Sequence, residues 1–79
     1  MDPLKRKEIE ERVFEEVQTI LTEGDRPYLK GLSRAALLAA LENELRFLGL
    51  YVHSDSETPA AIHALLEQHL DQWRTDYAV

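Results

Sequence analysis

The stretch that decides the fold is 33-SRAALLAALENELRFLGLYV-52, which contains a helix start, an amphipathic body and a helix stop. Serine accepts hydrogen bonds from the unpaired amides at a helix N-terminus, and glycine readily takes the left-handed conformation that ends a helix. Ser33 and Gly49 stand at these two places, and between them leucines recur at helical spacing (Leu37, Leu41, Leu45 and Leu48). We therefore expect a helix over 33–48, followed by a short extended segment at 50–52.

The apolar arc of this helix is wider than one packing partner requires. Ala36, Ala40 and Phe47 form a second strip beside the leucines, so non-polar side chains cover about half of the circumference. Such a helix needs two neighbours. They are either the other helices of this chain, which we favour, or one of those helices together with a second subunit.

Helix signals also flank the central stretch on both sides. Asp2 and Pro3 are typical of a helix start, and apolar residues at helical spacing predict a helix over about 3–23. Thr58 and Pro59 repeat that start signal and predict a helix over about 59–76.

The connecting segment 24–32 contains two glycines and the pair Arg26-Pro27, and we expect it to be an ordered loop. A chain of 79 residues has room for one domain. Residues 1–79 are therefore predicted to be a single helical domain of the all-α class, a small three-helix bundle.

Charge and composition exclude several classes of function. Nine Lys and Arg against fifteen Asp and Glu give a net charge of −6, which repels nucleic acid and suits a partner protein with a basic surface. No segment has the length and hydropathy of a membrane span or a secretory signal, so we expect no membrane partner and a cytoplasmic location. The absence of cysteine also favours a reducing compartment and leaves stability to helix packing or to a second chain.

Patterns typical of enzymes and cofactor sites are missing. There is no phosphate-binding glycine loop and no nucleophile elbow, and His63 with Glu67 lacks a third ligand at a spacing that would hold a metal. We expect no enzyme activity, no catalytic residues, no cofactor and no metal site.

Two polar residues stand among apolar neighbours in the helical projections. Glu44 lies between the two strips of the second helix, where a carboxylate needs a partner because burying an unpaired charge is costly. Its candidate partners are Arg26, Lys30, Tyr28 and His69, and an internal contact that fixes the loop is favoured over an anchor for a partner protein. His69 projects into the apolar stripe of the third helix and is expected to be a neutral core residue.

The polar turn 53-HSDSETP-59, leading into a helix that ends with Trp73-Arg74, resembles in outline the small acidic immunity proteins that neutralise bacteriocin nucleases. No motif matches residue by residue, so no family is assigned.

The sequence therefore favours a small acidic protein-interaction module that acts as an inhibitor, immunity factor or adaptor. The alternatives are a homodimeric assembly subunit and a transcriptional regulator acting through protein contacts, without direct binding to nucleic acid. The predicted partner-binding residues are exposed acidic or aromatic positions in the C-terminal half: Glu44, Tyr51, Asp55, Glu57, Glu67 and Asp71.

Overall fold

A computed structural model describes residues 2–23, 27–51 and 56–79, which form three α-helices, one 3-10 turn and no strand. The helices are α1 (Pro3–Thr22), α2 (Arg34–Phe47) and α3 (Thr58–Tyr77), and the 3-10 turn is Pro27–Leu29. Each helix packs against the other two. The predicted all-α three-helix bundle is therefore confirmed, and each helix boundary lies within one residue of the prediction.

The helix starts follow from local capping chemistry. The side chain of Asp2 accepts a hydrogen bond from the amide of Leu4, and the Ser33 hydroxyl accepts one from the amide of Ala36, both at 3.2 Å. These bonds satisfy amides that have no partner within the helix. At α3 the prediction is shifted by one position, because Thr58 is the first helical residue and Glu57 occupies the N-cap position.

Gly49 ends α2 as predicted, but the segment after it differs from the prediction. Gly49 has a φ of 85°, and the amides of Gly49 and Leu50 donate to the carbonyls of Arg46 and Leu45, each at 3.1 Å. These two bonds are the Schellman motif, which turns the chain sharply after a helix. Leu50 and Tyr51 consequently lie in a turn, and the prediction of an extended segment is wrong for these two residues.

Some of the predicted features lie outside the described residues. They are the loop positions 24–26, the last position of the predicted extended segment at 52, and the candidate site residue Asp55.

The core is built from leucine, isoleucine and valine on all three helices, with one contribution from the loop. Leu29, in the 3-10 turn, is 1% exposed and packs with the helical core residues. The segment 27–32 is therefore an ordered part of the bundle. The helical core residues are Val13, Val17, Ile20, Leu37, Leu38, Leu41, Leu45, Ile62, Leu65, Leu66 and Leu70.

The wide apolar arc of α2 is only partly covered. The helix packs against both α1 and α3, as the intrachain interpretation requires. The leucine spacing predicts a core position for Leu48, but this residue is 41% exposed because it caps the helix where the chain begins to turn away. Phe47 in the second strip is 89% exposed. The bundle therefore buries Leu37, Leu41 and Leu45 and leaves the last residues of both strips on the surface.

Candidate functional site

Glu44 makes an internal contact with the loop. The hydroxyl of Tyr28, one of its predicted partners, donates a hydrogen bond to the Glu44 carboxylate. Glu44 lies ten residues after Arg34, which is about 15 Å along the helix axis. The segment that carries Tyr28 must therefore fold back along α2, and the hydrogen bond fixes the loop against that helix.

Large apolar side chains surround this carboxylate on the surface. Phe47 and Leu48 follow Glu44 by three and four residues, and side chains at those spacings are neighbours on a helix. Phe47 is 89% exposed, Tyr28 55% and Leu48 41%. We call Tyr28, Glu44, Phe47 and Leu48 the Phe47 patch. It is an exposed aromatic and aliphatic surface that includes one carboxylate.

A second surface, which is polar, lies where α2 meets α3. The guanidinium of Arg34 donates to Oδ1 of Asp71 at 3.1 Å and to the backbone carbonyl of Glu67 at 2.8 Å. Its Nη1 is 3.9 Å from the Glu67 carboxylate. The structure thus brings Glu67 and Asp71, two predicted site residues, onto one arginine of the same chain. Their side chains are still 51% and 73% exposed, so a partner can reach both of them.

The same junction of helices holds a histidine between two carboxylates. Nδ1 of His63 hydrogen-bonds to the Glu42 carboxylate on α2, and Nε2 lies 3.8 Å from Oε1 of Glu67 on α3. The pKa of His63 is raised above its ordinary value of 6.5, mainly by the hydrogen bond to Glu42 and also by the negative charges of Glu42 and Glu67, while desolvation opposes the shift. Protonation of His63 therefore strengthens the junction of α2 and α3.

Tyr51 lies close to this junction. The Arg46 guanidinium carbon is 4.8 Å from the centre of the Tyr51 ring, a distance typical of a cation–π contact. Burial raises the pKa of the Tyr51 hydroxyl, Glu42 raises it further, and Arg46 lowers it. Tyr51 is half-buried, and it lies on the same surface as Glu42 and not on the surface that contains Glu44.

Glu57 lies near the start of α3. Together with Arg6, Ala60 and Ala61 it lines a surface depression of about 330 Å³. Its lining contains one basic side chain, one acidic side chain and two alanines. The described residues that line it do not include Glu67 or Asp71, so Glu57 is not grouped with them.

His69 belongs to an aromatic cluster on α1 and α3. Its ring lies 4.9 Å from that of Phe14, edge to face, and 5.7 Å from that of Trp73. It is only partly buried. The prediction that His69 is a core residue is therefore wrong, because its ring lies at the edge of the bundle in this aromatic cluster.

The predicted site residues therefore fall on two separate surfaces. Glu42 and Glu44 are two positions apart, and residues at that spacing point about 160° apart around a helix. Glu67, Asp71 and Tyr51 group with Glu42, whereas Glu44 belongs to the Phe47 patch. Within the described ranges, no three His, Asp or Glu side chains are arranged to hold a metal ion.

Sequence reasoning missed two features of these surfaces. The Glu42–His63 bond depends on how two helices are rotated against each other, and no pattern within one helix reports that rotation. The exposure of Phe47 had a signal, since the residue lies in the last turn of α2, just before the predicted helix stop at Gly49.

The fold and the two surfaces define a small three-helix bundle with an exposed aromatic patch. No protein-family model, curated protein or solved structure matches this chain. No described helix is both long enough and apolar enough to cross a membrane. Function must therefore be inferred from the surfaces themselves.

Proposed function

We propose that this chain is a protein-interaction module that binds a partner protein through the Phe47 patch, as an inhibitor, immunity factor or adaptor. The observation that carries the proposal is the 89% exposure of Phe47, next to two other large apolar side chains that are also exposed. An isolated apolar residue on a surface is ordinary. Adjacent aromatic and aliphatic residues on a small, highly charged protein are typical of a binding surface.

The energetics of the patch support this proposal. Moving a phenylalanine side chain from water into a packed environment is favourable by roughly 1.5–3 kcal/mol. Within the bundle Phe47 does not gain this energy, because its side chain remains in solvent. Burial against a partner would supply it, and rigid aromatic side chains lose little conformational entropy when they are immobilised.

Electrostatics favour a basic partner. The net charge of −6 attracts a positively charged surface over distances longer than a contact. Glu67 and Asp71 are exposed acidic groups on the second surface, and we propose that they contribute to this attraction. Tyr51, on the second surface, and Asp55 and Glu57 remain predicted partner-binding residues outside the Phe47 patch.

The proposal is tested by affinity capture from an extract of the source cell. Immobilised wild-type protein is compared with Phe47→Ala and with Leu4→Ala, a matched control that removes another exposed apolar side chain, 64% exposed on α1. We expect a captured protein that Leu4→Ala retains, that Phe47→Ala loses, and that binds less well at high salt. Equal capture by all three proteins, or by none of them, would contradict the proposal.

The variant must be shown to fold before this result can be interpreted. Phe47 is almost fully solvated, so Phe47→Ala should change the free energy of unfolding by no more than about 0.5 kcal/mol. Leu45, two positions earlier, is fully buried, and Leu45→Ala should cost about 2–5 kcal/mol. Urea denaturation of both variants separates a binding defect from a folding defect.

A further inference from the structure

His63 and Glu67 lie one helical turn apart on α3, and both side chains are of types that bind zinc. Nε2 of His63 is 3.8 Å from Oε1 of Glu67. Nitrogen and oxygen ligands lie about 2.0–2.2 Å from a zinc ion, so two of them at a tetrahedral angle are about 3.4 Å apart. A small adjustment of the two side chains would therefore let them bind one ion together.

The other ring nitrogen of His63 is held by α2. Nδ1 hydrogen-bonds to the carboxylate of Glu42, and Nδ1 must carry the proton because an ionised carboxylate can only accept. In the neutral ring the lone pair then lies on Nε2, which faces Glu67. Histidine ligands of zinc are commonly held in this way by a carboxylate, which fixes the orientation of the ring and increases its basicity. Glu42 is therefore suited to position His63 for a metal.

Both side chains are accessible from outside the bundle. The His63 side chain is 49% exposed and that of Glu67 is 51% exposed. Arg34 donates to Asp71 and to the backbone carbonyl of Glu67, whereas its Nη1 lies 3.9 Å from the Glu67 carboxylate, beyond hydrogen-bonding distance. The carboxylate of Glu67 can therefore turn towards a metal without breaking the hydrogen bonds of Arg34.

One chain supplies only two of the four ligands that a zinc ion usually takes. Among the described residues, no third His, Asp or Glu completes the set. A second copy would bring the same two side chains, since a two-fold dimer uses the same surface on both subunits. Ala60 and Ala64 precede His63 and Glu67 by three positions each, and both are exposed. These small neighbours leave room for a second helix to approach.

A zinc ion would also reduce the repulsion between two copies. Each chain carries a net charge of −6, which keeps metal-free copies apart. A divalent cation bound between carboxylates of both chains places positive charge at the contact itself. The metal therefore supplies both the bonds and the charge balance that a dimer needs.

We propose that His63 and Glu67 form half of a zinc site, which the same two residues of a second copy complete. Nε2 of His63 and a carboxylate oxygen of Glu67 from each chain bind the ion in a tetrahedral arrangement. Glu42 of each chain holds the imidazole in place. The site is on the second surface, apart from the Phe47 patch, so this inference does not depend on the proposed function.

The test is sedimentation velocity of the full chain with zinc chloride, at a mildly alkaline pH where the imidazole is neutral. Magnesium chloride at the same ionic strength is the control for charge screening, because magnesium prefers oxygen ligands in an octahedral arrangement. We expect a monomer in magnesium and a dimer in zinc, with one zinc ion bound per two chains. A chelator should return the dimer to monomer.

Variants of the exposed side chains assign the ligands. His63→Gln and Glu67→Gln should each abolish the zinc-dependent dimer, because each change removes two of the four ligands. His69→Gln changes a histidine of the aromatic cluster and should dimerise like the wild type.

Glu42→Gln tests the positioning role. It should weaken zinc binding about 10–100-fold, as the loss of a hydrogen bond to a ligand does elsewhere. Nitrogen NMR of the His63 ring gives a second readout, since zinc should shift Nε2 in the wild type. Glu42→Gln should change which ring nitrogen carries the proton, an effect that general destabilisation does not produce.

Three results would overturn the inference. They are the absence of a dimer in zinc, a zinc-dependent dimer that His63→Gln and Glu67→Gln retain, and a zinc ion bound at His63 in a monomer. The second result would show that zinc binds elsewhere, and the third that a second copy does not complete the site. Capture of a partner through Phe47 is decided separately, so either proposal can fail while the other stands.

Discussion

His63 and Glu42 link the protonation of one side chain to the packing of two helices. The imidazole on α3 bonds to the carboxylate on α2, with Glu67 on its other side and Arg34 bound to Glu67 in turn. The pKa of His63 is raised above 6.5, and Glu42 is the main cause. Its contribution to stability is therefore fully present below about pH 6.5 and is lost as the pH rises through the folded-state pKa.

The first prediction concerns this pair. In an NMR pH titration, the His63 ring protons should give a pKa above 6.5 in the wild type, and Glu42→Gln should bring it back towards that value. Glu67→Gln should lower it less, because Glu67 contributes only through its charge and is the smallest of the causes. A larger effect from Glu67→Gln than from Glu42→Gln would contradict the assignment.

The second prediction concerns stability as a function of pH. The free energy of unfolding of the wild type, relative to that of His63→Gln, should fall as the pH rises above about 6.5 and His63 loses its proton. The effect should be modest because the His63 side chain is 49% exposed and solvent screens its charge. Urea denaturation across this pH range measures it, and a difference that grows with pH would have the wrong sign.

The third prediction tests the hydrogen bond between Tyr28 and Glu44. Tyr28→Phe removes the hydroxyl alone and should reduce the free energy of unfolding by about 0.5–1.5 kcal/mol. In a double-mutant cycle with Glu44→Leu, most of that cost should appear as coupling between the two residues. Additive costs would show that the hydroxyl does not bond to this carboxylate in solution.

At the scale of elements, the end of α2 depends on the backbone conformation of one residue, Gly49. Gly49 has a φ of 85°, a region that side chains with a Cβ atom rarely adopt, and the two Schellman bonds depend on it. This turn ends the helix directly after Phe47 and Leu48. The position of the glycine therefore decides which side chains of α2 stand at the exposed end.

The fourth prediction follows from this turn. Gly49→Ala should destabilise the protein by about 1–2 kcal/mol, because alanine is strained in the left-handed region. Gly49→Asn should cost less, since asparagine tolerates that region better than other residues with a side chain. Thermal or urea denaturation of both variants makes the comparison, and equal costs would argue against a left-handed Gly49.

At the scale of the whole molecule, charge opposes self-association. The chain carries a net charge of −6 on a body of 36 × 21 × 19 Å. All three pairs of helices pack within one chain, so the described core does not require a second subunit to provide a neighbour for α2.

The fifth prediction is that the protein is a monomer of 9.1 kDa in sedimentation velocity at micromolar concentration and low salt. Added salt screens repulsion between copies, so any dimer should increase with ionic strength. A stable dimer at low salt that Phe47→Ala dissociates would support the homodimeric assembly subunit over the interaction module.

The parts of the structure that the sequence predicts are those encoded locally. Ser33 and Asp2 fix helix starts through bonds to residues two or three positions away, and leucine spacing identifies the buried stripe of α2. The surfaces depend on how the helices are rotated against one another, which no local pattern encodes. The sequence therefore marks Glu44 as unusual, whereas its separation from Glu67 and Asp71 depends on the fold.

The burial of Leu29 has a consequence for anyone who redesigns this chain. Because that side chain fills space between helices, the connection from α1 to α2 cannot be exchanged for a glycine–serine linker without leaving a cavity. Residues 27–32 have to be transplanted together with the helices if the bundle is grafted into another protein. A version of the chain that keeps the three helices but replaces residues 27–32 with a shorter linker would lose the core residue Leu29. It would also lose Tyr28, which positions Glu44.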